Sequence, residues 1–331
     1  MTNAPRPDSA DHAVSPTKTR QTRRALHGWI NLDKPVGLTS TRAVGRLKHL
    51  FAAKKVGHAG TLDPLASGVL PLAFGEATKT VSYMMEAAKE YEFVIRWGIR
   101  TRTEDREGEV VERSDRRPEE TEIEDALNRF VGDIDQTPPE YSAIKVDGAR
   151  AYDLARQGQE VTLKARRVTV FDACLTAVRD RDHAAFRLSC GKGFYIRALA
   201  RDLAAALGTF GHIVELRRTR VGAFSIDGAI SLEKLDELSH SADFLQSLLP
   251  VEMGLDDIPA LRMTGAEAQR LKRGQPVSLT RTHVNQLGGR TRAYVRCGAS
   301  PVAVGDIRAG RFHPTRVFNI PLKGTMDVDY S

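Results

Sequence analysis

Cysteine is scarce in this chain. Three stand in 331 residues, Cys174, Cys190 and Cys297, far apart from one another. That spacing fits neither a disulfide framework nor a zinc site, and the thiols are expected to stay reduced in a cytosolic protein. The nine histidines are scattered, with no His-x-x-x-His pair, so a zinc-hydrolase helix is excluded. No apolar run approaches the roughly 18 residues of a membrane span. Residues 1–25 lack large apolar side chains and are rich in Pro, Ser, Thr and Arg. They predict a disordered, basic tail without the apolar core of a secretory signal. Acidic residues are the minority charge, 42 against 49 Lys and Arg, which leaves a net +7. That surplus favours a polyanionic partner, nucleic acid first. What remains is an ordinary globular balance, 41% hydrophobic and 27% charged, long enough for about two domains.

Carboxylates are also scarce where glycines are dense. Lys55–Leu70 reads KVGHAGTLDPLASGVL, with Asp63 the sole acid among Gly57, Gly60 and Gly68. The glycines allow tight turns or close backbone approach. Pro64 fixes its own φ and pushes Asp63 toward extended geometry. Read from these residues alone, Asp63-Pro64 either starts a turn or holds one carboxylate in a fixed place for chemistry. Glycoside hydrolysis normally takes two carboxylates, and this stretch offers one.

Around it the chain alternates strands and helices. Gly28–Gly37 predicts a short strand and a turn, then a helix capped by Ser40 with Val44, Leu47, Leu50 and Phe51 on one face and Arg42, Arg46 and Lys48 elsewhere. A strand is expected over Val69–Phe74. A helix follows, with Val81, Met84, Met85 and Ala88 as its core face. Tyr91, Phe93, Ile95, Trp97 and Ile99 alternate strictly and predict a strand with one buried face. A polar loop over 98–108 precedes a helix beginning at Pro118 and ending at Gly132. Gln136–Gly148 is a proline-stiffened connector. Residues 166–190 predict two strands about a turn at 179–183. Gly191–Arg197 then delivers Tyr195 and Arg197 to the start of a helix ending at Gly208, where an anion contact is chemically reasonable. Val214–Gly222 is a basic strand. Arg42–Lys55, Lys164–Arg167 and Arg217–Arg220 are the basic stretches expected to meet phosphates.

KVGHAGTLDPLASGVLPLAFGEATK closely resembles the central motif of the TruB family of tRNA pseudouridine synthases, and the resemblance extends over about residues 28–255. It implies that Asp63 is the nucleophile and that Arg197 pairs with it. It implies that Tyr91 and Tyr195 line the pocket, that Leu216 meets the target base, and that His58 takes part in base flipping. Lys34 and Pro35 match the family's opening Leu-Asp-Lys-Pro segment, placing Lys34 near the site, and Asp105 matches the acid of the 98–108 loop. Gln136–Gly148 is then expected to line the RNA cleft. Residues beyond 255 resemble the PUA-type RNA-binding domain of bacterial members, with a short basic helix at Thr264–Gly274 and three or four strands after it.

The resulting expectation is an α+β fold: a mixed, largely antiparallel sheet with flanking helices over residues 26–255, then a small, mostly-β, PUA-like domain over 256–331. The implied reaction converts uridine to pseudouridine at position 55 in the T loop of tRNA. It needs no cofactor and no metal. The implied partner is the tRNA T stem-loop, without a guide RNA or membrane, bound by a cytoplasmic monomer. The rivals are the same chemistry on another RNA and a non-catalytic RNA-binding protein.

Overall fold

Alternation decides the central sheet. A computed structural model describes residues 22–142, 144–146, 149–157 and 162–322. In it Tyr91, Phe93, Ile95 and Trp97 form the buried row of the strand Lys89–Trp97, and Ile99 continues into a small separate hairpin with Val110–Arg113. The strand lies between Gly211–Val221 and His183–Cys190, both antiparallel to it. Outward on one side follow Arg166–Asp180 and Gly132–Gln136; on the other, Ser67–Phe74, Gly28–Lys34 and Ile230–Ser231. Val56–His58 and Phe224–Ser225 complete ten strands. The pairs Gly28–Lys34 with Ile230–Ser231 and Gly211–Val221 with Ser67–Phe74 are parallel and the rest antiparallel, which is the mixed, largely antiparallel sheet expected. Helices Ser40–Leu50, Glu120–Asn128 and Ile196–Ala206 bury Leu47, Ile123, Leu127, Leu199 and Leu203 against one core.

A second sheet of five strands orders Ala260–Arg262, Arg292–Cys297, Ser300–Arg308, Arg311–Val317 and Val277–Ser278. Four of these follow the helix Gly265–Lys272, as expected; Ala260–Arg262 precedes it, and a further helix, Arg281–Leu287, stands between. The sheet encloses its own core around Leu261, Leu271, Val295 and Phe312. Another cluster joins the two sheets, because Val304 and Phe318 pack with Trp29, Val69, Phe224, Val251 and Leu255. Among the described residues no helix is long and apolar enough to cross a membrane.

Several local expectations change. Thr39, not Ser40, caps the first helix, accepting from the Arg42 N–H. The helix after Phe74 spans only Val81–Glu86, so its period ends early: Met84 and Ala87 are buried, while Met85 and Ala88 face solvent. The helix placed at Pro118 begins at Glu120, because Glu119 and Glu122 form a capping box. Most of the expected N-terminal tail, residues 1–21, lies outside the described residues, but Arg24 is already tied to the main body through hydrogen bonds with Ala52 and Lys54. The basic strand is spent internally: Arg218 is 1% exposed, Arg217 pairs with Asp33 and Arg220 with Glu90.

Candidate active site

The loop bearing Asp63 joins the strands Val56–His58 and Ser67–Phe74. Its ends need glycine. Gly60 and Gly68 both have φ of +102°, and a Cβ at Gly68 would meet the Arg218 carbonyl oxygen at 2.2 Å. That contact marks where Ser67–Phe74 runs parallel to Gly211–Val221. Between the glycines the loop is pinned from inside. Leu62 and Leu65 enter the core. The buried Ser40 hydroxyl accepts from the Leu62 N–H at 2.9 Å and donates to the Leu62 carbonyl at 3.0 Å. The Gly37 N–H donates to the Pro64 carbonyl at 2.7 Å, and the Ala66 N–H to the Asp63 carbonyl at 3.1 Å. The backbone on both sides of Asp63 is therefore fixed, while its side chain stays one-third exposed.

Arg197 faces that carboxylate from the first turn of Ile196–Ala206. Its Nε donates to Asp63 Oδ2 at 2.9 Å, its Nη1 to the Thr103 carbonyl and its Nη2 to the Tyr141 carbonyl, each at 3.0 Å. Asp105 Oδ2 lies 3.8 Å from Nε. One buried guanidinium thus ties three separate segments together. Burial opposes its charge, yet Asp63, Asp105 and Glu104 outweigh that, and its pKa is raised.

Both candidate tyrosines feel the Asp63 charge. Tyr91 is 9% exposed and hydrogen-bonded by Arg218; burial raises its pKa. Tyr195 precedes the helix, and burial followed by the charge of Asp63 raises its pKa as well. Both hydroxyls therefore keep their protons at neutral pH. Leu216 lines a cleft of about 510 Å³ together with Val36, Leu65, Ser67 and Phe93. His58 ends its strand beside Gly60. Burial and then Arg218 lower its pKa, so the ring is neutral, and its buried Nδ1 has no hydrogen-bond partner. Lys34 lies close enough to feel the Asp63 charge, but its side chain is turned inward. It is wholly buried, and its Nζ donates to the Pro35 and Leu38 carbonyls at 3.0 and 2.8 Å. Burial lowers its pKa to about 8. It props the turn whose Gly37 holds Pro64.

Three positioning groups gave no sign of this role in the sequence. Ser40 looked like a cap. Gln136 looked like part of a connector, yet its buried amide donates to the Tyr195 carbonyl at 3.1 Å and accepts from the Tyr195 N–H at 2.9 Å. Arg218 looked like an RNA contact, yet it donates to the carbonyls of Val69, Thr61 and Gly60. Of the connector Gln136–Gly148, positions 143, 147 and 148 lie outside the described residues.

Comparison with known proteins bears on this geometry. Residues 48–196 match the N-terminal domain of the TruB family pseudouridylate synthases, and residues 197–256 match the tRNA pseudouridylate synthase B C-terminal domain. A tRNA pseudouridine synthase B from Caulobacter sp. (strain K31) is 54% identical over 302 residues, covering 89% of this chain and 97% of that protein. One from Rhodospirillum rubrum is 51% identical over 305 residues, covering 91% and 99%. Among solved structures, a Cbf5-Nop10-Gar1 complex contains a chain with TM-score 0.67 and 26% identity, covering 89% of this chain and 85% of that one. An H/ACA RNP bound to a substrate RNA containing 2'-deoxyuridine shares the fold at TM-score 0.67 and 24% identity, covering 90% and 86%.

Proposed function

The chain belongs to the TruB family of tRNA pseudouridine synthases and isomerises uridine in tRNA; from that premise we propose that its target is uridine 55 in the T loop and that Asp63 is the nucleophile. The observation that carries the reading is the Arg197–Asp63 pair, a one-third-exposed carboxylate aimed by a buried guanidinium that is itself anchored on two backbone carbonyls.

The reaction breaks the C1′–N1 bond of the uridine, turns the uracil and rejoins it to C1′ through C5. A proton leaves C5 and one arrives at N1, so the product is an isomer and no oxidant, reductant or nucleotide is consumed. A carboxylate nucleophile divides such a step into easier ones, and the Arg197 Nε–Asp63 Oδ2 hydrogen bond aims the carboxylate for it. The uridine first leaves the RNA stack, at a cost of a few kcal/mol. Neutral His58 fills the space the base vacates. The extruded base packs on the faces of Tyr91 and Tyr195 and against Leu216. Protonated tyrosine hydroxyls suit hydrogen bonding and proton transfer to the uracil. Lys34 acts through the turn at Pro35–Leu38. Residues 26–255 form the catalytic part and 256–331 a PUA-like RNA-binding part, acting as a monomer in the cytoplasm without a guide RNA.

The test is incubation of purified protein with unmodified tRNA transcript and position-by-position mapping of pseudouridine. Product at position 55 alone is expected. Product elsewhere, or only after a guide RNA is added, contradicts the substrate assignment.

A further inference from the structure

The helix Ile196–Ala206 carries a second arginine one turn beyond the first. Positions i and i+4 share a helix face, so Arg201 stands next to Arg197. Arg197 bonds the Thr103 and Tyr141 carbonyls. Arg201 reaches the same two segments at neighbouring points: its Nη1 donates to Glu104 Oε1 at 2.6 Å and its Nη2 to the Thr137 carbonyl at 2.7 Å, while Nε donates to Asp202. One pair of segments is thus fastened twice.

Glu104 is unusual apart from this bond. Its φ is +61°, a left-handed conformation that a glutamate adopts only under constraint. Its side chain is 14% exposed, and Oε2 is buried with no hydrogen-bond partner. Glycine would take the same backbone without strain, and burying a half-satisfied carboxylate is costly. Such strain persists where surrounding structure imposes it and tends to collect at functional sites. Here its neighbours are the site. The Glu104 carbonyl accepts from the Ile213 N–H, and the Arg106 N–H donates to the Ile213 carbonyl, seating the loop on the central sheet. One residue earlier, Thr103 gives its carbonyl to Arg197; one residue later, Asp105 faces Arg197 Nε.

We propose that Glu104 and Arg201 are a positioning pair, which sets the 101–108 loop so that the Thr103 carbonyl and Asp105 hold Arg197, and through it the Asp63 carboxylate, in reactive alignment. This rests on the reading of Asp63 as the reacting group. Neither residue is required to touch RNA, so its loss is expected in kcat and not in KM. A misplacement of about 1 Å at a reacting group costs up to about a hundredfold in rate.

The test uses the full chain and unmodified tRNA transcript with Glu104→Gly, Glu104→Gln, Arg201→Met and the Gly/Met double variant. Glu104→Gly removes the strain together with the carboxylate. It is expected to melt no lower than wild type, yet to turn over about tenfold to a hundredfold more slowly at unchanged KM. Arg201→Met should lose a similar factor, and the double variant should be no slower than the slower single variant, as for residues acting in one contact. Glu104→Gln keeps an acceptor for Arg201 and should recover most of the rate. Wild-type kcat in folded Glu104→Gly, a loss confined to KM, or multiplying losses in the double variant would overturn the inference. Should Glu104→Gly fold poorly, Arg201→Met and Glu104→Gln decide by the same criteria. Asp63→Asn run alongside separates the two claims: a rate lost there but kept in Glu104→Gly removes this inference alone, and a rate kept in Asp63→Asn removes the reading beneath it.

Discussion

The Asp63 loop and the C-terminal five-stranded sheet are held by opposite means. Around the loop the buried anchors are polar: Ser40, Lys34, Gln136, Arg197 and Arg218 are each less than 5% exposed. Each spends its donors on backbone carbonyls or, for Arg197, also on Asp63. In the C-terminal sheet the interior is aliphatic and aromatic, Leu261, Leu271, Val277, Val295 and Phe312, and the arginines stand outside. A hydrogen bond gives direction, so it can place a carboxylate. Apolar burial has none, and it leaves the arginines of that sheet on its outside. The difference also sets how each region fails. Removing one buried donor leaves its acceptors unpaired in low dielectric, whereas removing an exposed charge leaves little behind.

Substitutions make that contrast measurable. Arg218→Met strands the buried Val69 carbonyl, the part-buried Thr61 and Gly60 carbonyls and the Tyr91 hydroxyl. With about 1–3 kcal/mol for each unsatisfied buried group, a loss of about 3 kcal/mol or more is expected in denaturant unfolding, with turnover falling too. A near-neutral result would show that the loop does not depend on its polar scaffold. Ser40→Ala orphans only the two Leu62 groups and should cost about 2 kcal/mol or a little more. Its rate should fall about tenfold through a looser Asp63, with tRNA binding unchanged.

Lys34 offers a pH test of the same scaffold. Burial depresses its pKa from the ordinary 10.5 to about 8. Between those values the unfolded chain holds a proton that the folded chain has released, so this group makes stability rise with pH across that window. Its contribution is least favourable below about 8. Lys34→Met should flatten the rise, read as the difference between wild-type and variant unfolding curves at pH 7.5 and 10. An unchanged difference would place the ammonium in water.

The smallest expected effect on stability belongs to the C-terminal sheet. Alanine at the exposed Arg273, Arg281 and Arg311 should shift stability by no more than about 0.5 kcal/mol each. The slope of log affinity for tRNA against log salt should become shallower by about 0.9 for each phosphate that is no longer neutralised. An unaltered slope would remove this sheet from the RNA interface.

How much of this was legible in the sequence follows from the same contrast. Asp63 stands out where glycines crowd around one acid, and the strand at Lys89–Trp97 announced itself by strict alternation, whereas Tyr91, Tyr195 and Arg197 were named as site residues through family resemblance. Leu216 and His58 were named through family resemblance, since a lone leucine or a loop histidine carries no signal by itself. The scaffold was illegible because it works across long separations through the backbone. Ser40 meets Leu62, and Gln136 meets Tyr195, by bonds to amides that every residue possesses. Arg217, Arg218 and Arg220 read as one basic stretch, yet two are paired with carboxylates and one is sealed inside. A count of charges does not reveal which are already occupied. Met85 and Ala88 were misplaced for a simpler reason: a six-residue helix is too short for its period to be read.

The central claim is that the fixed backbone around Asp63 serves its carboxylate. Asp63→Asn keeps the side chain's shape and removes its charge and nucleophilicity, and asparagine tolerates turns as aspartate does. The decisive measurement is the single-turnover rate of pseudouridine formation in tRNA by this variant, after circular dichroism and a thermal melt show it folded. A rate below detection is expected, with tRNA affinity little changed, because binding is spread over many phosphate contacts. Substantial pseudouridine formation by the folded variant would contradict the account.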